Sequence, residues 1–118
     1  MKKIILTLLL VVSFSATYGQ NKFQERQNKY FVEAAAKEYN LNEAQQKELT
    51  ELRTAMVIAY GESQKEAKAG TITKEEKKAK NGEASKTFNN GVIKLTGKNY
   101  KELAPFFKRM REELKEVK

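Results

Sequence analysis

The sequence predicts an all-α fold of four helices. Three observations carry that expectation. Ala, Glu, Lys, Gln and Leu, all strong helix formers, dominate long stretches after Gln20, and Pro105 is the single proline. Apolar residues recur at steps of three and four, the spacing that gathers them on one side of a helix. No stretch alternates strictly between apolar and polar residues for long enough to argue for a strand.

The first residues are expected to lie outside the fold. Lys2 and Lys3 precede an apolar run from Ile4 to Val12, broken only by Thr7, and small and polar residues follow as far as Gly19. This is the layout of a secretory signal peptide cleaved after Gly19, with small residues at the cleavage point. The run has about half of the ~20 apolar residues that a membrane-spanning helix needs, so no integral membrane anchor is expected. With no cysteine, a thiol-linked lipid anchor is excluded. Residues 20–118 then form a single helical domain of an exported, periplasmic protein.

A helix over about 22–39 has Phe23, Tyr30, Phe31, Ala34 and Ala35 on its apolar side. The next, over about 43–69, repeats Leu49, Leu52, Met56 and Ala59/Tyr60 on one face, and Gly70 supplies a stop that tolerates the left-handed region. A third helix over about 74–94 keeps phase through Ala84, Phe88, Gly91/Val92 and Leu95, although Asn89-Asn90-Gly91 predicts fraying or bending. The last, over about 97–117, carries a seam of Tyr100, Leu103, Phe107, Met110, Leu114 and Val117. Pro105 removes one backbone hydrogen bond there, so a bend is expected rather than an end.

Three short stretches look alike: L-N-E-A-Q at 41–45, I-T-K-E-E at 72–76 and L-T-G-K-N at 95–99. With the second residue at the N-cap, Asn42, Thr73 and Thr96 each offer an oxygen to an unpaired N–H of the first turn. Gln45, Glu76 and Asn99 then fall where a side chain can reach back to the cap's own N–H, a capping box at the first two sites and a weaker version at Asn99, whose side chain is short. Leu41, Ile72 and Leu95 precede the caps and pin the incoming chain. The pentapeptides read as three helix starts.

The net charge of +8 falls to +6 once Lys2 and Lys3 are removed. An exported basic protein meets acidic protein segments, anionic headgroups or polysaccharide rather than nucleic acid. There is no cysteine and no histidine. That removes disulfides, thiolate metal sites, cysteine nucleophiles and conventional serine triads. No cofactor or metal is expected, and nothing nominates an enzyme.

The capped motifs resemble those of the Spy/CpxP-like periplasmic proteins, with their L-T-x-x-Q motifs. L-T-G-K-N-Y-K-E-L-A-P-F-F-K-R-M-R-E-E-L-K-E at 95–116 is similar to that family's closing helix, and L-N-E-A-Q-Q-K-E-L-T-E-L-R at 41–53 to its earlier motif helix. Asn42 stands where Thr is usual, Asn99 where Gln is, and Gly97 where Pro is frequent. Some members sense zinc through histidines; this chain has none, so that activity is not carried over. The resemblance implies an extended, bent helical hairpin or cradle, an antiparallel homodimer, and an ATP-independent chaperone that holds unfolded envelope proteins.

The residues offer such a face on their own terms. Val32, Val57, Ile58 and Phe106 lie off the main stripes, with Arg26, Lys29, Arg53 and Arg109 among them. These are the candidate client-binding residues: cationic attraction followed by loose apolar contact gives fast, unspecific capture. A regulatory module docking on an envelope sensor protein, and a basic amphipathic protein at membrane surfaces, are the alternatives.

Overall fold

The computed structural model describes residues 21–118, so the expected leader at 1–19 lies outside the described residues. They form four helices: α1 (Lys22–Tyr39), α2 (Glu43–Ala69), α3 (Lys74–Thr96) and α4 (Tyr100–Leu114). No strand occurs among the described residues. None of the described helices is long and apolar enough to cross a membrane.

Every helix opens on a reciprocal capping box. In α2, Asn42 Oδ1 accepts from Gln45 N at 2.8 Å while Gln45 Oε1 accepts from Asn42 N at 2.9 Å. In α3, Thr73 and Glu76 exchange two bonds of 3.0 Å. The Thr73 backbone and hydroxyl bonds hold the Glu76 carboxyl below the usual range. These two boxes stand where the pentapeptides place them. The third does not. Thr96 ends α3 instead of starting α4, and its hydroxyl donates to Val92 O at 2.8 Å. Gly97, at φ 72°, closes α3, and the cap of α4 is Asn99, paired with Glu102. The reason is reach: an Asn at the third helical position is one methylene too short for a good box, whereas Asn99 followed by Glu102 makes a full one. Leu95 accordingly sits in the last turn of α3. A fourth box, Asn21 with Gln24, opens α1.

Between α1 and α2, Asn40 turns left-handed at φ 53°, and Leu41 N donates back to Ala36 O at 3.0 Å. Leu41 is buried and packs into the core, the apolar contact that usually accompanies such a helix end. Gly70 closes α2 in the left-handed region, as expected.

The long helices α2 and α3 run antiparallel: Leu52 meets Gly91, Tyr60 meets Ser85, Ser63 meets Asn81, and Glu66 meets Lys80. A helix of 27 residues is about 40 Å long at 1.5 Å per residue. Helices α1 and α4 pack on one end of this hairpin, antiparallel to each other, with Gln27 reaching Leu114 O and Glu38 reaching Arg109. The core lies where all four converge, from Phe31, Val32, Ala35, Leu41, Leu49, Phe88, Val92, Leu103, Phe106 and Met110. Beyond it the hairpin is polar. Between Thr50 and Thr87 the one buried residue is Ser63, whose hydroxyl bonds Asn81. The radius of gyration, 15.0 Å, exceeds the about 13 Å of a compact domain of about 100 residues because this end projects.

Helix α3 runs unbroken through Gly91 to Thr96, without the expected fraying. Gly91 is there for closeness: a Cβ at this position would lie 2.7 Å from both methyl carbons of Leu52. Helix α4 likewise continues through Pro105 and ends at Leu114, short of the expected 117.

Chemical denaturation checks both assignments. Asn99→Ala should cost about 1 kcal/mol and Thr96→Ala much less; the reverse order would restore the cap to Thr96. Gly91→Ala should be destabilising by about 1 kcal/mol through overpacking against Leu52. Gly82→Ala, where nothing lies within 4 Å, should gain up to about 1 kcal/mol of helix propensity.

Candidate functional site

The expected client-binding residues separate into three groups. Val32 and Phe106 are buried, at 7 % and 4 % exposure, so neither is available to a client. The buried face of α1 spans Asn28, Phe31, Val32 and Ala35, and that of α4 spans Leu103, Phe106 and Met110. Each of these helices packs against two neighbours, which widens its apolar face beyond a single seam. Phe106 is edge-on to both Phe31 and Tyr39. Phe23 and Tyr30, expected on the apolar side of α1, are instead exposed, as is Tyr100 at the start of α4's seam.

The second group is basic but already engaged. Arg109 donates to Glu38 Oε1 at 2.9 Å and Glu113 Oε2 at 3.1 Å, and lies 5.3 Å from the Phe106 ring centroid. The bond to Glu38 raises its pKa above the usual arginine value. Tyr30 Oη donates to the same Glu113 at 2.5 Å, which holds the phenol above its usual range. These groups rim a shallow groove of about 490 Å³ between α1 and α4. Its three carboxylates, Glu33, Glu38 and Glu113, outnumber its two cations, Lys37 and Arg109, by one.

Arg53 is engaged differently. Its guanidinium lies 4.5 Å from the Phe31 ring centroid and 5.8 Å from that of Phe88. Its Nε donates to Asn28 Oδ1 at 3.1 Å. Burial lowers its pKa to about 10, partly offset by Tyr60, so it is charged at neutral pH. No carboxylate among the described residues pairs with it. Asn28 is itself 3 % exposed, and its Nδ2 has no acceptor among the described residues. A buried donor without a partner costs about 1–3 kcal/mol. Asn28 also lines a second groove, of about 460 Å³ between α1 and α2, with Lys29, Lys47, Thr50 and Thr54. Sequence periodicity gave no sign of this pair: it arises from where α1 crosses α2.

The third group stays at the surface. Lys29 is exposed, Val57 and Ile58 are partly exposed, and Arg26 is exposed with its Nε donating to Lys118 O at 2.6 Å. Among the described residues, only Lys80, Arg109 and Lys115 of the basic side chains form ion pairs. Each exposed aromatic adjoins a cation in sequence (Lys22-Phe23, Lys29-Tyr30 and Tyr100-Lys101), and successive residues of a helix do not face each other; the structure sets Tyr30 against Glu113 and Tyr100 against Phe107. No cluster of three or more His, Cys, Asp or Glu among the described residues is placed to hold a metal ion. The arrangement offers contact surface, cationic and partly apolar.

No family model matches the chain, and neither a curated protein nor a solved structure is significantly similar to it.

Burial predicts a clear split in stability. Phe106→Ala should lose about 3–5 kcal/mol, while Tyr100→Ala, which gives up only the contact of a half-exposed ring with Phe107, should lose about 1 kcal/mol, both measured by urea unfolding. Equal effects would show that the exposed ring is part of the core after all.

Proposed function

We propose that the protein is an ATP-independent, chaperone-like protein of the periplasm that holds unfolded or aggregating envelope proteins on a basic and apolar helical surface. The observation that carries this reading is a surface that leaves large aromatic side chains exposed and most of its cations without an ion pair. Phe23, Tyr30 and Tyr100 are 42 %, 38 % and 52 % exposed. The unpaired cations attract acidic segments over several ångströms, within the ~8 Å screening length of physiological salt. Capture is then completed by short-range apolar contact. Its specificity is low because neither component needs a shaped partner.

The polar outer half of the α2–α3 hairpin adds to this reading. Val57 and Ile58 sit on α2 where the bundle core gives way to that hairpin. The resemblance to Spy/CpxP-like proteins supports the same role and a homodimer that would join two such surfaces.

The test is suppression of light scattering by a reduced or denatured model protein, at near-stoichiometric ratio and without nucleotide. The protein should delay aggregation of several unrelated clients, and more weakly as salt is raised. The double substitution Phe23→Ser with Tyr100→Ser should remove most of the effect at a stability cost of about 1 kcal/mol, that of the Tyr100 contact with Phe107. Protection of a single client alone, with tight binding to one envelope sensor domain, would replace holding by a regulatory role. Protection of none would remove it.

A further inference from the structure

We propose that the α3–α4 side of the bundle docks on an anionic lipid surface, through a row of cations on α4 formed by Lys101, Lys108, Arg111 and Lys115. The proposal goes beyond the client-holding reading and does not depend on it: it concerns where the molecule is held, not what it holds.

The net charge of the described residues is confined to one side of the fold. Residues 21–73, which include α1 and α2, carry eight basic and eight acidic side chains and are neutral. Residues 74–118, which include α3 and α4, carry thirteen basic and seven acidic ones, a net +6. Helix α3 packs between α2 and α4, and α4 between α3 and α1, so the two charged helices lie side by side. Between Glu76 and Glu102 there are seven lysines and a single carboxylate, Glu83. Of the thirteen cations only Lys80, Arg109 and Lys115 have an ion pair among the described residues, which leaves ten without one.

On α4 the two signs are sorted by face. Lys101, Lys108 and Lys115 recur every seven residues, Arg111 lies one turn before Lys115, and all four are exposed. At 3.6 residues per turn they share an arc of about 80° and a row about 21 Å long. Glu102, Glu112, Glu113 and Glu116 fall on the neighbouring arc, toward α1, where Glu113 meets Tyr30. On the other flank of the row stands Tyr100, 52 % exposed.

The spread of these charges decides the partner. They do not converge on a cleft: the two grooves described above both run along α1, and neither lies between α3 and α4. A compact anion would meet one or two of them. Nine of the ten unpaired cations are lysines, hydrated point charges that make no planar fork. Lipid headgroups can move sideways until one lies under each ammonium, so a row without fixed geometry suits them better than an acidic sequence of fixed spacing. Tyr100 at the edge of the row fits the headgroup level, where amphipathic rings settle. The neutral α1–α2 side then points away from the lipid.

The test is co-sedimentation with vesicles of phosphatidylcholine, with and without phosphatidylglycerol. It uses the chain from Gln20 on, which contains all four helices, so that the apolar run at 4–12 cannot itself bind lipid. The protein should bind only the anionic vesicles and be released by salt. Each cation near such a surface is worth a factor of about five, so Lys101→Gln with Lys108→Gln and Arg111→Gln should weaken binding at least about tenfold. Lys22→Gln with Lys29→Gln and Lys47→Gln removes the same charge from exposed positions of the neutral side. Lying beyond the ~8 Å screening length, these should weaken binding less than about twofold. Urea midpoints close to that of the unsubstituted protein certify that both variants fold. The chain has no tryptophan, so Tyr100→Trp reports the contact by a blue shift on anionic vesicles, while Ala55→Trp, at an exposed position of α2, should not respond. Equal losses in the two triple variants would overturn the docking face, and equal binding to neutral vesicles would overturn the anionic lipid. Tighter binding to polyglutamate at matched charge, through the same three residues, would put an acidic polypeptide in place of the lipid.

Discussion

The structure depends on the packing around Phe31. This ring is edge-on to Phe88 of α3 and Phe106 of α4, stacked on Phe107, and covered by the Arg53 guanidinium of α2. One side chain of α1 therefore touches all three other helices. Aromatic pairs in these geometries add about 0.5–1.5 kcal/mol each beyond the area they bury. With only ten buried apolar residues among the described ones, such pairs matter more here than in a larger core. Outside the cluster the helices are held by polar cross-links between them and their ends by local devices, capping boxes and left-handed stops.

Those local devices are what the amino-acid order makes legible. The bounds of α1 and α2 can be read from composition, periodicity and the N-x-x-Q pattern, because a capping box is chemistry within four residues. The same logic misplaces the start of α4, since Asn99 can serve as third residue after Thr96 or as a cap before Glu102. Only the better reach of Glu102 and the left-handed Gly97 between the helices decide. Asn21 with Gln24 is the same N-x-x-Q pattern at the start of α1.

Long-range placement is much less legible. A stripe drawn at heptad spacing assumes one partner helix, and α4 has two, so Phe106 and Phe107 both turn inward. Val32 joins the core for the same reason. Gly91 looks like a weak point to propensity, yet it is a point of close approach to Leu52. Arg53 reads as one basic residue among many; its aromatic bed and its bond to Asn28 exist only once α1, α2 and α3 have met. Most of the fold was thus available from sequence, and little of the candidate site.

The polar interface of the outer hairpin has a further consequence. Tyr60 with Ser85, Ser63 with Asn81, and Glu66 with Lys80 hold α2 to α3 by directional bonds rather than by shed water. Such contacts fix alignment sharply but surrender little free energy when water replaces them, about 0.5–1.5 kcal/mol apiece. The molecule should therefore open in parts, its far end separating many times for each cooperative loss of the aromatic cluster, so that amide exchange would divide the chain into a slow base and a fast tip.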